Sequence, residues 1–533
     1  MRKHLYLWLK DRYPVEAIRQ FLAHQAGKLL PPHTSWWHTL GSLLLYLTVN
    51  QLVTGVLLMV YYRSAPETSY ESIRFIMTKA NFGWLIRGLH SWGANLMILL
   101  LVAHMFRTFV MGTYKKPREL TWVVGVFIFG TVLIFGFTGY LLPWNQVSYW
   151  ATVVGTEIAG VIPVVGDWMR TVLRGGDAVG SETLGRFYVV HVAVLPWILV
   201  GLVAVHILLV RIHGLAPLDP VGAEPPLDPK SGLRFFPDHV AKESVVFSVF
   251  FTALVAIVIL VPPELGQKAD PLRTPEGVKP EWYFLPTYQL LKYLPKVLGI
   301  FVSILPMLLL VLWPFLDRTP ARNPKNRPWS MTIGLGALGL AIVFGILGYV
   351  SERTFTLFGS RLAFDIHGVP HRTPDAAAEA PGGGIPPELR PTLSFKTSVE
   401  EGKKMLVVTV TQSKKPVERV KVAFFVQSES ALDPIGQDET LDDGTAAVRF
   451  PEQARGGPHG ELSLVAQIKA PDRWAGIQGR VTLPGGVPVP PAPWAPSSPR
   501  SVAVLSIILF SGIFVTLIFH RMARASRKHL GVP

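Results

Sequence analysis

The sequence predicts an all-α integral membrane helix bundle of about eight transmembrane helices, with an appended extracytoplasmic β-sandwich domain. The chain of 533 residues is 49% hydrophobic and 16% charged, with a mean hydropathy of +0.35, which is too apolar for a typical soluble protein. Apolar windows close to the length of a bilayer span, about 20 residues, recur eight times, and a residue period of two appears near residue 392. The windows lie at about 39–61, 84–111, 121–142, 187–210, 244–262, 297–316, 330–350 and 500–520.

The chain is basic, with a formal net charge of +15. The positions of its basic residues predict how the chain is oriented in the membrane, and no nucleic-acid partner is expected. Lys and Arg cluster beside alternate spans, which marks the cytoplasmic side. We therefore expect both termini in the cytoplasm and residues 355–499 outside it; a basic loop at 268–296 opposes the trend. The first apolar window begins too late and is too long for a signal peptide. The clusters are Arg2, Lys3, Lys10 and Arg12, then Lys115, Lys116 and Arg118, then Arg318, Arg322, Lys325 and Arg327, and finally Arg521, Arg524, Arg527 and Lys528.

Composition changes along the chain predict seven segments. Residues 143–186, between the third and fourth spans, are apolar but broken by Gly and Pro, and we expect short helices at the membrane surface there. Pro- and Gly-rich stretches mark linkers. The predicted segments are an amphipathic N-terminal segment at 1–35, a four-span domain at 36–215, a three-span domain at 216–354, a linker at 355–391, the β-sandwich at 392–485, a Pro-rich linker at 486–499, and the last span with a basic tail at 500–533.

The β-sandwich prediction depends on alternating stretches such as KMLVVTVTQ, ERVKVAFFVQ and ELSLVAQIKA, with a turn signal at Asp442-Asp443-Gly444. Several short strands with such turns indicate a sandwich of roughly immunoglobulin size. Residues 392–484 contain no catalytic constellation and no metal-ligand spacing. We hypothesise that this domain docks or stabilises partners outside the cytoplasm.

Four histidines lie inside two predicted spans: His90 and His104 on the second, His191 and His206 on the fourth. A single histidine in a span is more often a packed residue than a ligand. Here spacings of 14 and 15 return each pair to nearly the same helix face, about 21 Å apart. If the two spans run parallel, His90 meets His191 near the outer surface and His104 meets His206 near the inner one. Because the chain has no cysteine, two imidazoles per site suit two six-coordinate, non-covalent haems that carry electrons.

Glycines repeat with the same spacing. Gly41 and Gly55 lie 14 residues apart on the first span, and Gly125 and Gly139 lie 14 apart on the third. Either a flat macrocycle pressed against the backbone or close helix packing explains them. Arginines stand where haem propionates need partners, with interfacial snorkelling as the alternative. They are Arg87 and Arg186 near the outer haem and Arg107 near the inner one.

Long stretches of the chain match one family. The stretches NFGWLIRGLHSW, GTYKKPRELTW, GFTGYLLPWNQVSYWA, RFYVVHVAVLP and PEWYFLPTYQLLKYLP resemble cytochrome b of the quinol–cytochrome c and quinol–plastocyanin oxidoreductases. The resemblance covers about residues 1–350. It is strongest to cytochrome b6 joined to subunit IV, since the second histidine pair is 15 apart and three spans follow the first four. Where b6-type proteins hold a covalent extra haem through a cysteine six residues after a PPH turn, this chain has Thr39, so no covalent haem is expected. Residues from 355 onward lie outside the resemblance.

The resemblance implies roles for the PEWY stretch, Pro280, Glu281, Trp282 and Tyr283, at an outer quinol-oxidation site. Glu281 would accept a proton from quinol, and Tyr283 would hydrogen-bond or gate the quinol ring. The alternative is that Pro280 and Glu281 start an interfacial helix within an aromatic belt. An inner quinone site is expected near Lys116, Arg211 and the N-terminal segment, with His33 and His38 as further candidates.

The implied activity is that of the cytochrome b subunit of a quinol:cytochrome c-type oxidoreductase in the bacterial inner membrane. Electrons from quinol would cross the membrane through two b haems to the inner quinone site, coupled to proton translocation. Expected partners are a Rieske iron–sulfur protein, a c-type cytochrome or other soluble electron acceptor, the lipid membrane and a second copy in a homodimeric complex. The quinone stays open between a menaquinone type and ubiquinone. Two rival functions are a dihaem anchor for a dehydrogenase and a scaffold without turnover.

Overall fold

The computed structural model describes residues 2–27, 29–30, 34–216, 219–222, 233–275, 277–357, 360–372, 390–400, 402–413, 415–427, 432–452, 454, 456–457, 460–469, 474 and 476–487. These residues form two compact units, one within Met1–Tyr349 and the other within Val350–Ala492. The first unit is helical. Its helices are α1 Arg2–Lys10, α2 Val15–Ala26, α3 Leu40–Met59, α4 Ser69–Thr78, α5 Gly83–Val110, α6 Glu119–Leu141, α7 Gln146–Gly160, α8 Gly166–Arg174, α9 Ser181–Val189, α10 Leu195–His213, α11 Val240–Leu260, α12 Leu285–Leu291, α13 Lys296–Leu316 and α14 Pro328–Val350.

Seven helical stretches in the described part of the chain are long and apolar enough to cross a membrane. They are Trp36–Met59, Gly83–Val110, Glu119–Leu141, Ser181–His213, Val240–Leu260, Lys296–Leu316 and Pro328–Val350. These correspond to the first seven predicted windows and confirm the predicted membrane bundle. The eighth predicted span, 500–520, lies outside the described residues.

The fourth span differs most from its predicted window of 187–210. It begins at Ser181, and a π-helical turn, Val190–Val194, joins α9 to α10. Pro196 at the start of α10 lacks a backbone N–H and crowds the carbonyl four residues earlier, which favours such a widened turn. His191 lies in this turn, so its ring projects from a locally widened helix.

Short helices α7 and α8 occupy the segment between the third and fourth spans, as predicted for residues 143–186. Arg174 of α8 joins them, because its guanidinium contacts the Glu157 carboxylate at 2.9 Å and the Thr156 hydroxyl at 2.8 Å. Charge-assisted hydrogen bonds of this kind are stronger than neutral ones. The Arg174 side chain is buried, so the pair fixes the angle between the two helices.

The first unit also holds a short strand pair, β1 Leu29–Leu30 and β2 Leu233–Arg234. The second unit is built from antiparallel strands. They are β3 Thr354–Leu357, β4 Ser360–Phe364, β5 Pro370–Arg372, β6 Thr392–Glu400, β7 Lys403–Gln412, β8 Lys415–Pro416, β9 Lys421–Gln427, β10 Leu432–Glu439, β11 Thr445–Arg449, β12 Glu461–Ile468 and β13 Gln478–Pro484. Two sheets, ordered β10-β9-β12-β13 and β11-β7-β6 with β8 paired to β7, share one apolar core. Leu406, Val408 and Val410 alternate into that core from β7 and are fully buried, as a period of two requires. This confirms a β-rich domain after the bundle.

Strands β3, β4 and β5 form a three-stranded antiparallel sheet where the sequence predicted the beginning of a linker. The prediction was wrong for residues 355–372. The Pro-, Gly- and Ala-rich composition that suggested a linker begins after Arg372, at 373–389, and that stretch lies outside the described residues. The preceding TFTL and SRLAF stretches pair as a hairpin through ladder hydrogen bonds.

A buried ionic cluster ties the loop after α5 to the loop after α13. Asp317 accepts hydrogen bonds from Lys115 at 2.8 Å, Tyr114 at 2.5 Å and Ser330 at 3.0 Å, and Arg327 lies 3.5 Å away. Although burial opposes ionisation, the hydrogen bonds from Lys115 and Tyr114 hold the pKa of Asp317 below its usual range. The carboxylate is therefore charged and paired at neutral pH.

Asp317→Asn is expected to destabilise the helical unit, since it leaves the buried Lys115 ammonium without its counter-charge. Breaking one partner of a buried ion pair typically costs about 3–5 kcal/mol. Thermal unfolding of the detergent-solubilised protein, followed by circular dichroism, measures the loss. Glu71→Gln removes the exposed pair of Glu71 with Arg74 and is the matched control, with an expected cost below about 1 kcal/mol. Equal melting temperatures for the two variants would contradict the prediction.

Candidate functional site

The outer histidine pair faces across a cavity between the helices. His90 on α5 and His191 in the π-helical turn have ring centroids 6.4 Å apart, with their planes inclined by 68°. Both rings line a cavity of about 400 Å³. The structure therefore brings together the two residues that the spacing argument paired.

Two threonines orient these imidazoles. Thr54 Oγ1 lies 2.9 Å from His90 Nδ1, and Thr138 Oγ1 lies 3.1 Å from His191 Nδ1. Each hydroxyl donates its own hydrogen to a backbone carbonyl, Asn50 for Thr54 and Ile134 for Thr138, so each accepts a hydrogen bond from Nδ1–H. This assigns the proton to Nδ1 and leaves Nε2 free as a ligand. Both threonines immediately precede one of the spaced glycines, and the repeated Thr-Gly pair was a sequence signal that the spacing argument did not use.

Each of the four spaced glycines lies against one of the four histidines. A Cβ added at Gly55 would lie 3.4 Å from His90 Cε1, and one added at Gly139 would lie 2.5 Å from His191 Cε1. At the inner end, Gly41 has the same relation to His104 and Gly125 to His206, each at 3.5 Å. The missing side chains leave room at the rings, which fits a macrocycle held between each histidine pair.

The inner pair repeats the glycine contacts of the outer one. His104 lies on α5 and His206 on α10, and each ring lies against its spaced glycine. Arg107, one turn after His104, has its Nε buried without a hydrogen-bond partner among the described residues. A buried cationic donor of this kind suits an anionic group such as a haem propionate.

The two outer arginines behave differently from each other. Arg87 lines the cavity, and its guanidinium donates to the carbonyls of Pro263 at 2.6 Å and Glu264 at 3.1 Å. Arg186 does not line this cavity; it donates to the Val172 carbonyl. The structure therefore brings only Arg87 to the cavity of the outer histidine pair.

Glu281 and Tyr283 line the same cavity as His90 and His191. Burial raises the pKa of Glu281 above its ordinary value, and burial together with the nearby Glu281 raises the pKa of Tyr283. Tyr140, which also lines the cavity, is a neighbour that the sequence analysis missed. Pro280 is half-buried and Trp282 is exposed, with its ring edge-on to Tyr283 at 5.5 Å.

The inner-site candidates each make contacts of their own. The Arg211 guanidinium stacks over the Phe235 ring at 5.0 Å, and the Lys116 carbonyl accepts a hydrogen bond from Arg322 at 3.2 Å. His38 Nδ1 accepts a hydrogen bond from the Ser35 backbone N–H at 3.0 Å, within the turn before α3. His33 lies outside the described residues.

Two family models match the helical unit, and the second extends past it to residue 364, beyond the end of the resemblance that the sequence predicted. Residues 25–214 match "Cytochrome b/b6/petB" and residues 268–364 match "Cytochrome b(C-terminal)/b6/petD". The cytochrome b subunit of the cytochrome bc complex of Chlorobaculum thiosulfatiphilum is 39% identical over 343 residues, 63% of this chain and 78% of that protein. The chain belongs to the cytochrome b family. The split between the two matches fits a cytochrome b6 joined to a subunit-IV-like part, as the sequence predicted.

Other relatives agree with this assignment. Cytochrome b6 of Synechocystis sp. is 43% identical over 212 residues, 40% of this chain and 94% of that protein. A solved structure described as a hyperthermophilic respiratory Complex III superposes with a TM-score of 0.60 at 30% identity, covering 65% of this chain and 91% of that one. The protein is thus an integral membrane cytochrome b subunit of a bc-type oxidoreductase complex, and its family implies b haems.

Gly139→Ala is expected to disturb the outer histidine pair, because the added Cβ would lie 2.5 Å from His191 Cε1. Overpacking of this kind typically costs about 1–3 kcal/mol. We expect a lower haem content or a shifted midpoint potential in a redox titration of the purified protein. Gly201→Ala on α10 is the control, since no atom lies within 4 Å of its added Cβ. Identical titrations for both variants would contradict the prediction.

Proposed function

We propose that this cytochrome b oxidises quinol at an outer site beside Glu281 and supplies electrons across the membrane to an inner quinone site, coupled to proton translocation. His90 with His191, and His104 with His206, would each hold one non-covalent b haem. When bound, the two haems supply one-electron carriers on the two halves of the membrane. The menaquinone-type and ubiquinone alternatives both stay open.

One observation carries this proposal: the outer histidine pair, Glu281 and Tyr283 line a single cavity of about 400 Å³. Electron transfer and proton acceptance from quinol need an electron carrier and a base that reach the same substrate molecule. A dihaem anchor without quinol oxidation has no use for a buried carboxylate here. The shared cavity therefore favours quinol oxidation over the anchor.

Glu281 acts as the base in this proposal. A quinol releases two protons and two electrons on oxidation, and a carboxylate within hydrogen-bond reach accepts a proton from its hydroxyl group. Burial raises the pKa of Glu281, so the carboxylate is a stronger base than an exposed one. The Tyr283 hydroxyl would hydrogen-bond to the substrate, and Pro280 and Trp282 would hold the loop. Protons leave on the outer side and are taken up near Lys116 and Arg211 on the inner side.

The partners follow from what this chain lacks. Quinol oxidation delivers one of its two electrons to an acceptor outside the b haems, and a chain with no cysteine provides no cysteine-ligated cluster. A Rieske iron–sulfur protein, with a c-type cytochrome or another soluble acceptor behind it, would supply that branch. The Chlorobaculum relative is named as a subunit of a bc complex, and the similar solved structure is described as a Complex III, which supports a multi-subunit assembly. A second copy of the chain in a homodimeric complex is part of the proposal.

The proposed orientation puts both termini in the cytoplasm of a bacterium, in its inner membrane, and residues 355–499 outside. We propose that the β-sandwich at 392–485 docks or stabilises the extracytoplasmic partners. The basic loops flanking the spans support this orientation. Deletion of residues 355–533 is expected to weaken assembly with the native partners; normal assembly and turnover of the shortened chain would refute the docking role.

A haem count with a redox titration of the purified protein tests the proposed function first. Two haems that acidic acetone extracts completely, titrating at separate potentials, are expected. The purified complex should then reduce its electron acceptor with quinol as donor. One haem or none would point to the scaffold, whereas two haems without quinol oxidation in the presence of a Rieske partner would point to the anchor.

A further inference from the structure

One side-chain hydrogen bond joins the PEWY segment, Pro280–Tyr283, to helix α5. The indole Nε1–H of Trp282 donates to Asn95 Oδ1 at 2.7 Å. The two residues are 187 positions apart in the sequence, and they come from different halves of the bundle. The contact therefore links the loop that carries Glu281 to the helix that carries His90.

The Asn95 amide is oriented by a second hydrogen bond. Its Nδ2 donates to the backbone carbonyl of Ser91, one turn earlier on α5, at 3.1 Å. Since that bond uses the amide nitrogen, the amide oxygen faces the indole. A flipped amide would bring two donors together at Trp282. Asn95 is thus a pre-oriented acceptor, which loses little side-chain freedom when it holds the indole.

The position of Asn95 connects this bond to the proposed chemistry. Asn95 lies five residues after His90, about 7.5 Å along the helix axis, and both residues line the cavity that contains Glu281. Trp282 directly follows Glu281 in the chain. Turn hydrogen bonds from the backbone N–H groups of Phe284 and Leu285 to the carbonyls of Glu281 and Trp282 fix the local fold of the loop, whereas the Asn95 bond fixes the loop relative to α5.

We propose that Asn95 is a positioning residue for quinol oxidation, which through Trp282 holds the Glu281 carboxylate at a fixed distance from the outer histidine pair. This inference rests on the proposed function of Glu281. A displacement of about 1 Å at a reacting group can cost about a hundredfold in rate. Loss of the bond leaves the cavity and the haem ligands intact but loosens the base.

The test compares Asn95→Ala, Trp282→Phe and the double variant in the assembled complex, with steady-state quinol oxidation as the readout. Each single variant is expected to lower kcat about tenfold with an unchanged KM and an unchanged haem spectrum. The double variant should be no slower than either single one, because both remove the same bond. Trp282→Phe keeps an aromatic ring at a residue that is 42% exposed. If Asn95→Ala fails to assemble, the kcat of Trp282→Phe alone tests the positioning role.

Trp92→Phe is the matched control. The Trp92 indole on α5 donates an equally short hydrogen bond, to the Val261 carbonyl at 2.7 Å, but Trp92 lies outside the cavity lining; wild-type kcat is expected. A wild-type kcat in Trp282→Phe, multiplicative losses in the double variant, or loss of haem from Asn95→Ala would each overturn the positioning role. Glu281→Gln distinguishes failure of the proposed function from failure of the role of Asn95. Wild-type turnover in Glu281→Gln would overturn the proposed function itself. Slow turnover in Glu281→Gln together with wild-type turnover in Trp282→Phe would overturn only the role of Asn95.

Discussion

Replacement of His191 by alanine is expected to remove the outer haem, to leave the inner one in place and to stop quinol turnover. In the proposed site the imidazole would be one of two ring ligands, and its centroid lies 6.4 Å from that of His90. Alanine also leaves the Thr138 hydroxyl without the ring that it orients. One ligand in an apolar cavity does not complete a six-coordinate iron, so the haem content should fall from two per chain to one.

The measurement is the haem-to-protein ratio with a redox titration, which should lose one of its two steps. His213→Ala is the matched control on the same helix, because its Nδ1 lies 3.1 Å from the Leu209 carbonyl and the ring belongs to neither pair. His206→Ala should give the complementary result, with the inner step lost. Two unchanged steps in the His191 variant would refute the pairing of His90 with His191.

The helix bundle could be predicted from the sequence because each span is marked by about 20 consecutive apolar residues. The histidine and glycine sets were also within reach of sequence reasoning. Both depend only on the helix period, and the structure brings each glycine against one histidine. The helix period does not predict which side chain of a neighbouring helix hydrogen-bonds to each imidazole. Thr54 and Thr138 meet their imidazoles only after the helices pack.

Contacts between distant segments were beyond the sequence patterns. The bond between Asn95 and Trp282 has no local signature, since neither residue is unusual on its own element. The sequence predicted Arg186 beside the outer pair because of its position near His191. In the structure the Arg186 guanidinium donates to the Val172 carbonyl of helix α8 instead.

The β-rich unit was predictable where polar and apolar residues alternate. Strand β10, LDPIGQDE, lacks this alternation and contains Pro434 and Gly436, which disfavour strands. The structure accommodates both with an irregular register between them. Strands β3 to β5 were missed because residues 355–391 were assigned together as a linker, from the Pro- and Ala-rich composition of their later part.

Glu281→Gln is expected to lower quinol turnover by about a hundredfold or more, the usual contribution of a positioned base, while both haems are retained. The amide keeps the size of the side chain but cannot accept a proton. The pH profile should change as well. Burial raises the pKa of Glu281 above its ordinary value of 4.5, so the carboxylate form, and with it wild-type turnover, should disappear as the pH falls through that raised pKa. This acidic limb should be absent from the slow residual rate of the variant.

Glu264→Gln is the sharpest comparison, because the Glu264 residue lines the same cavity and also carries a carboxylate. The two variants remove equal charge from the same space, so a general electrostatic effect would slow both to the same degree. If Glu281 is the specific base, only Glu281→Gln lowers turnover, and only that variant loses the acidic limb of the pH profile. Measured turnover that falls in Glu264→Gln and not in Glu281→Gln would transfer the role of base to Glu264, and with it the proton path from quinol to the outer surface.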